Sequence, residues 1–556
     1  MRLFRPDREL GLERRPLVIG EYPRMTPNPH LLLLACLALL TPAAPAQHVL
    51  LEAEQFADTG GWDVDQQSMD QMGSPYLLAH GLGVPVRDAV TRAEFPSPGR
   101  YRVWVRTRDW VAPWKAPGAP GRFKLLVDGK PLAETFGTEG EAWHWQDGGS
   151  VDVGVEATVA LHDLTGFEGR CDAVLFSKDA AFVPPNELAA LTKFRRSALG
   201  LPEEPEDGGS FDLVVVGGGI AGTSAALSAG RNGLKVALVQ DRPVLGGNGS
   251  SEVRVWPEGK TRQEPFPHIG DIVEELVPDK GSGDGNAKGG PTYADERKLD
   301  LVRAEPRITL LTEEHVNAVV VREGRIQSVV AQHVRTARRV RLSARLFADC
   351  TGDGTLGFLA GADYEVSKEG VMGASNLWNL TDVSDPAQVL LCECKDKEAL
   401  SLSVRAGSVV APFPRCPWAM DLTDRPFPGR RGFKGQWAGA PRDNLGGWFW
   451  ESGFDKDQIN DKGIYWAPYR CLYSRNVANL FKAGRDISVD HEALGPVRVM
   501  RTCGMMGEVV GKAAWICVSQ QTTPRGVYEG HLALLKELMS QPGALRRAAL
   551  GGPLAP

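Results

Sequence analysis

Three glycine-containing clusters lie far apart in the chain, and the first has the types and spacing to grip a charged dinucleotide. The first is Gly217, Gly219 and Gly222 in VVVGGGIAGTSAAL, a G-x-G-x-x-G pattern. There the first glycine permits a tight turn, the second lets the backbone approach a pyrophosphate, and the third lets a helix lie close on a strand. The phosphates would then meet unpaired N–H groups at the helix start. About twenty residues on stand Gln240, Asp241 and Arg242, where a ribose hydroxyl needs an acceptor or an extra phosphate needs a cation. The second cluster is Thr351, Gly352 and Asp353, and the third is Gly484, Arg485 and Asp486. Behind the third lie groups able to move a proton or hold an anion: Asp490, His491 and Glu492, then Arg498 and Arg501, spaced to share one helix face.

The elements that must position these groups surround them. Leu213 to Val216 is an apolar run that suits a buried parallel strand, an alanine-rich helix follows, and Val236 to Val239 is a second such strand. Phe266 to Val277 and Asp295 to Ala304 suit helices, and Gly281 to Gly290 reads as a loop. Strands are expected at ITLLT, HVNAVVVREG, RIQSVVAQHV and RRVRLSARLFADCTG, and again at Leu480 to Ala483. After Gly495 and Pro496 a long amphipathic helix is expected, with the proline near its first turn.

Leu245, Gly246, Gly247 and Asn248 make a further glycine turn that resembles the FAD-pyrophosphate loop of glutathione reductase-like flavoproteins. RLFADCTGDG resembles the A-T-G-D turn that closes over the FAD diphosphate, with Cys350 where alanine is commoner. Gly484, Arg485 and Asp486 resemble the G-R-D turn whose carboxylate holds the ribityl chain. With SVDHEALGPVRVMRTCGMMGEVVGKAA added, most of Ser210 to about Gly543 is similar to the FAD-dependent oxidoreductase family of that superfamily. The resemblance implies an α/β Rossmann-like domain of glutathione reductase type with an inserted β-meander, FAD as cofactor, and hydride transfer at flavin N5. It places the adenine on the backbone near Val316. It also aims the positive end of the last helix, with Val497 at its start, at the flavin N1 and C2=O edge. Proton transfer and substrate contact then fall to His491 and Glu492, with Asp490 as a rival base, and one of Arg498 and Arg501 faces the pyrimidine edge or an anionic substrate. Trp448, Trp450 and Glu451 would line the substrate side. For each of these side chains a structural role stays open. One departure stands out: between Asp457 and Trp466 such proteins have a far longer region, so a reduced substrate cap is expected.

Upstream the pattern changes. VLLEAEQF, YRVWVRTRDW, FKLLVDGK, TVALHDL and DAVLFSK are short alternating runs punctuated by Gly and Pro, which predicts an all-β sandwich or jelly roll. Its layout, with Glu52, Ala53 and Glu54 at the start and SPGRYRVWV later, looks like the modules found beside secreted carbohydrate-active enzymes. Trp62, Trp104, Trp110, Trp114, Trp143 and Trp145 are either core residues or faces that stack on sugar rings. Trp114, in APWKAPGAPG, is the candidate for exposure. The expected division is therefore a signal peptide over 1–46, a carbohydrate-binding-module-like sandwich over 47–180, a linker over 181–209, an FAD-binding part with meander over 210–361, a shortened cap over 362–465, and the FAD-binding return over 466–545.

Length 556, with 42% hydrophobic and 24% charged residues, suits several cored domains. A net charge of -6 without a long basic run argues against a nucleic-acid partner held through phosphates. Leu31 to Leu40 is too short to span a membrane and reads as the apolar region of a signal peptide cut between Ala46 and Gln47. Export to the periplasm, cell surface or medium is expected. Met25 is an alternative start, Arg14 and Arg15 form a twin-arginine pair only in the longer form, and Cys36 is an alternative lipid-attachment site. No cysteine pair has zinc-ribbon spacing and the 10 histidines form no ligand-spaced cluster, so no metal is expected. The expected partners are a small-molecule or carbohydrate substrate and an electron acceptor that the sequence does not name. Two competing readings are a glycan-binding surface protein with an inactive flavin fold, and NADP use through Arg242.

Overall fold

The computed structural model describes residues 48–66, 68–81, 83–114, 119–277, 290–366, 431–433, 450–452, 464–489 and 497–555, the three short stretches 431–433, 450–452 and 464–466 as strand backbone only. Residues Gln47–Pro556 form one compact unit. Within it the apolar residues of the amino-terminal β region and those of the nucleotide-type region form separate buried clusters.

The nucleotide-type region is built on one sheet. Leu213, Val214, Val215 and Val216 are all buried, as a strand covered on both faces requires. Their strand, Glu206–Val216, lies between Val236–Val239 and Arg339–Asp349 and runs parallel to both. Ile308–Leu311 adds a parallel strand at one edge. Along its other edge, Arg339–Asp349 pairs with two partners in turn. Its first half takes the antiparallel strand Arg325–His333, and its last three residues take Leu480–Lys482 in parallel. Glu314–Arg322 completes the meander against Arg325–His333. The register has one consequence for function: Val216 is level with Val239 and Asp349, and Asp349 is level with Lys482. Four strands therefore end at one rim, and the turns that follow them emerge side by side, where open α/β sheets bind ligands.

Two helices back this rim. Ile220–Arg231 follows the first glycine turn, and Met500–Ser519 crosses it closely. Close approach needs small residues: a Cβ on Gly507 would lie 2.0 Å from the Ala221 carbonyl oxygen, and one on Gly511 would lie 2.5 Å from Ser228 Cβ. The longer helix differs from expectation. Arg501 to Val518 are all buried, so the helix is enclosed on every side, its few charged residues included, rather than lying half exposed as an amphipathic surface helix would. It begins at Met500, and Pro496 lies outside the described residues. The helix expected over Phe266 to Val277 is shorter, Asp271–Leu276. No helix among the described residues is long and apolar enough to cross a membrane.

The amino-terminal region holds two four-stranded antiparallel sheets and a smaller three-stranded one. Tyr101, Val103, Val105, Val174 and Phe176 from one four-stranded sheet join Leu125, Val127, Val159 and Leu161 from the other in one buried cluster. Sequence patterning missed the strands Tyr76–His80 and His144–Val153, the latter because Gly148 and Gly149 interrupt its alternation at an irregular register. The segment expected as a linker is more ordered than that. It contains the helix Leu188–Ala198, capped by the Glu187 carboxylate accepting from the Ala189 and Ala190 N–H groups, and Glu206 already pairs with Val340 in the sheet.

Candidate functional site

The first turn is pressed against the end of the neighbouring strand. Gly217 has φ +101, and a Cβ there would lie 2.4 Å from the Cys350 carbonyl oxygen. Gly222 lies so close beneath that its Cβ would be 1.8 Å from the Gly217 carbonyl oxygen. Gly219, just before the helix, is the opposite case: a Cβ there would meet nothing within 4 Å. Backbone therefore faces open space at the residue whose pattern position meets a pyrophosphate. The loop carrying Gly246, Gly247 and Asn248 leans on the same point. Gly246 N–H donates to the Gly218 carbonyl at 2.8 Å, and a Cβ on Gly247 would lie 3.2 Å from Gly219 Cα. Val255 N–H closes this loop onto the Asn248 carbonyl.

The second and third clusters meet directly. Arg485 donates from Nε to the Gly352 carbonyl at 2.9 Å and from Nη2 to Asp353 Oδ1 at 2.6 Å. Thr351 donates to the Asp349 carboxylate through both N–H and Oγ1. Asp486 follows at the same rim. It is 1% exposed, and among the described residues neither of its carboxyl oxygens has a hydrogen-bond partner. Burial, then the nearby Asp349 charge, pushes its pKa well above the usual carboxylate range, against the attraction of Lys482. Lys482 is itself buried, and burial draws its ammonium down to about 8 despite the pull of Asp486. An unbonded buried carboxyl group is costly unless a ligand completes it. Open backbone at Gly219 together with an unsatisfied Asp486 fits a dinucleotide that carries a hydroxylated chain. Sequence reading passed over Asp349 and Lys482. Their signal was a charged residue closing an apolar strand immediately before a glycine turn.

Other expected contacts are placed differently. Gln240 is buried, and both ends of its amide are used: Oε1 accepts from Gly218 N–H at 2.7 Å and Nε2 donates to the Val244 carbonyl at 3.1 Å. It braces the glycine turn instead of offering a ribose acceptor. Asp241 comes next, its side chain 39% exposed, with His315 Nδ1 3.9 Å from the carboxylate. Arg242 pairs with Glu252 at 3.5 Å, so its charge is already matched. Val316 is buried on the meander strand opposite Ala331. Val497 is buried, and its carbonyl accepts from the Cys503 thiol. Of the two arginines, Arg501 is committed to the protein: it bonds Glu274 Oε1 at 2.5 Å and the Pro257 carbonyl at 3.0 Å. Arg498 is exposed. Asp490, His491, Glu492 and Trp448 lie outside the described residues, and Trp450 and Glu451 are described only as strand backbone.

In the β region Trp62, Trp104, Trp110, Trp143 and Trp145 are all buried, so these five are core residues and present no stacking face to a sugar. The side chain of Trp114 lies outside the description. Among the described residues no group of three or more His, Cys, Asp or Glu is arranged to hold a metal ion.

The family model for FAD dependent oxidoreductases matches residues 212–413 and 444–539. The chain is 31% identical over 191 residues to the 6-methylpretetramide 4-monooxygenase of Streptomyces rimosus, covering 30% of this chain and 44% of that protein. It is 38% identical over 100 residues to a fumarate reductase (cytochrome) of Shewanella frigidimarina, covering 18% and 17%. The chain thus spans under half the length of these relatives. Among solved structures it is similar to the glycerol-3-phosphate dehydrogenase from Bacillus halodurans complexed with FAD, at 19% identity and a TM-score of 0.21, over 31% of this chain and 39% of that one.

Proposed function

Because the chain belongs to the FAD dependent oxidoreductase family, with FAD as its cofactor, we propose that it oxidises or reduces a small organic substrate, with a carbohydrate derivative as the candidate class. The observation that carries this reading is the meeting of three separated turns at one rim around an unsatisfied Asp486. Gly219 would take the pyrophosphate on open backbone, with Gly217 and Gly222 shaping the tight turn behind it and Gly246, Gly247 and Asn248 beside it. Thr351, Gly352 and Asp353, held by Arg485 beside Gly484, would hold the diphosphate, and Asp486 would accept from the ribityl hydroxyls. Asp241 serves the ribose, and Val316 and Val497 line the two ends. Bound FAD supplies the hydride chemistry at flavin N5, and the protein supplies position and protons.

His491 and Glu492 remain the candidates for proton transfer, since in sequence they lie shortly before the helix Met500–Ser519 that backs the rim. Arg498 is the remaining candidate for an anionic group, Arg501 being engaged with Glu274. The parallel strand order supports a glutathione reductase-type nucleotide domain, and the two sheets around one cluster support a sandwich of the carbohydrate-binding type. The Leu31 to Leu40 run with Ala46 beyond it supports export, which the amino-terminal residue of the mature protein would establish.

The test is spectroscopic. The purified chain is expected to be yellow and to lose its absorbance near 450 nm, a band general to flavins, on anaerobic mixing with a reducing substrate drawn from a panel of sugars and polyols. A colourless preparation that takes up no FAD would sink the reading. Bleaching by non-sugar substrates alone would keep the enzyme and remove the carbohydrate.

A further inference from the structure

Asp241 is the first acceptor available to a ribose once Gln240 is spent beneath the glycine turn, yet it sits on a loop, and a loop places a carboxylate poorly without support. Its support comes from outside the nucleotide fold. Gln66, on the β region's loop after the strand Asp63–Asp65, donates from Nε2 to the Asp241 backbone carbonyl at 2.7 Å. The same segment is tied down at its far end: Gln332 Nε2 donates to the Gly73 carbonyl at 2.8 Å. Gln332 is oriented in turn by Asn317, whose Nδ2 donates to its Oε1 at 2.9 Å. Gln332 also stands directly across the strand pair from His315, the ring beside the Asp241 carboxylate. Between the two ties, Met69 and Met72 are buried. Gln66 and Gly73, on either side of the short helix Met69–Met72, thus tie the β region to the end of the second parallel strand and to the meander.

We propose that Gln66 is a positioning residue for the adenosine half of FAD, so that the β region is a working part of the cofactor site. This rests on the reading of Asp241 as the ribose contact. A contact that only glued two regions together would affect all ligands and the fold alike. A contact that sets the Asp241 backbone acts on ligands that carry adenosine.

The experiment uses the full chain stripped of flavin, and compares FAD, ADP and FMN by titration for the wild type, Gln66→Ala and Gln332→Ala. ADP carries the adenosine half alone, and FMN lacks it. Loss of one supporting hydrogen bond is expected to weaken FAD and ADP about fivefold to tenfold in Gln66→Ala, with FMN unchanged. Gln332→Ala should show the same pattern with a smaller loss, and the apo chains should melt together. Equal weakening of all three ligands, or none, would overturn the proposal while leaving FAD binding by the wild type intact. A wild type that binds neither FAD nor ADP would overturn the cofactor site itself, and this proposal with it.

Discussion

Two aspartates of equal burial have opposite surroundings. Asp172, 0% exposed in the β region, has Oδ1 accepting from Ser74 Oγ at 2.8 Å and Oδ2 accepting from Arg106 at 2.7 Å and Arg195 at 2.5 Å. Asp486, 1% exposed at the rim, has no hydrogen-bond partner among the described residues on either oxygen. The first is fully bonded within a structural charge cluster: Arg195 sits on the helix Leu188–Ala198 and also pairs with Glu52, so it locks that helix onto the β region, although Oε2 of Glu52 and of Glu54 there has no hydrogen-bond partner among the described residues. The second is open, and burial that leaves a carboxyl group unbonded is tolerated where a ligand supplies the bonds. Satisfaction, more than burial or charge, separates a strut from a binding group.

Removing the charge of Asp172 should have the largest effect on folding. Asp172→Asn leaves Arg106 buried without its anion and Arg195 with Glu52 alone, and breaking such a buried pair costs about 3–5 kcal/mol. The expected outcome is a large drop in the denaturation midpoint of the flavin-free chain. Asp486→Asn should spare the empty protein. It removes the ionisable group but keeps one carbonyl acceptor, so flavin-free stability should hold, while FAD binding weakens about fivefold to tenfold through loss of the second oxygen. Denaturant melts paired with FAD titration check both halves. If Asp486→Asn lost stability and kept its affinity, the two aspartates would belong to the same class.

Glu508 lies between these extremes. Its Oε1 accepts from the Gly270 and Val273 N–H groups, which caps the helix Asp271–Leu276, while Oε2 has no partner among the described residues. Burial pushes its pKa up to about 7, against the Gly270 bond and the attraction of Lys512. A raised carboxyl pKa favours the protonated form in the fold. Its stability contribution is therefore complete below the ordinary value of 4.5 and is lost as pH rises through about 7. Glu508→Gln keeps the capping acceptor without the ionisation, so its stability should stay flat across that window while the wild type declines. Denaturant midpoints taken at intervals between those two pH values measure the difference.

Much of this was legible in the chain. The strands Leu213 to Val216 and Val236 to Val239 and the alanine-rich helix between them follow from apolar run and glycine spacing, because local sterics dictate them. The proximity of Gly217 to Cys350 and of Gly352 to Arg485 was legible only through the resemblance, since parallel pairing joins residues more than a hundred positions apart. The use of Gln240 and Arg501 was not legible. Side chains at the right position can turn inward, and which hydrogen bond a Gln completes depends on the tertiary neighbours Gly218 and Val244. Gln66 was invisible for the same reason: nothing in a loop between two short strands says that its amide will meet the carbonyl of Asp241.

The smallest expected effect concerns that inward turn. Gln240→Glu restores the acidic residue that nucleotide folds often carry at the end of the second strand. If position 240 faced the ribose, the change would tighten FAD. Here the replaced amide donates to the Val244 carbonyl, and a carboxylate oxygen set against a carbonyl oxygen repels it, while the bond from Gly218 N–H survives on the other oxygen. The expected result is a stability loss of about 1 kcal/mol with no gain in FAD affinity. Tighter FAD binding would move the ribose contact back to position 240 and leave Asp241, with the Gln66 bond that holds it, as an element of the fold. An unchanged or weaker affinity keeps the two residues in their separate roles: Gln240 as a bonded structural group like Asp172, Asp241 as a half-exposed carboxylate beside His315 that a ribose can reach.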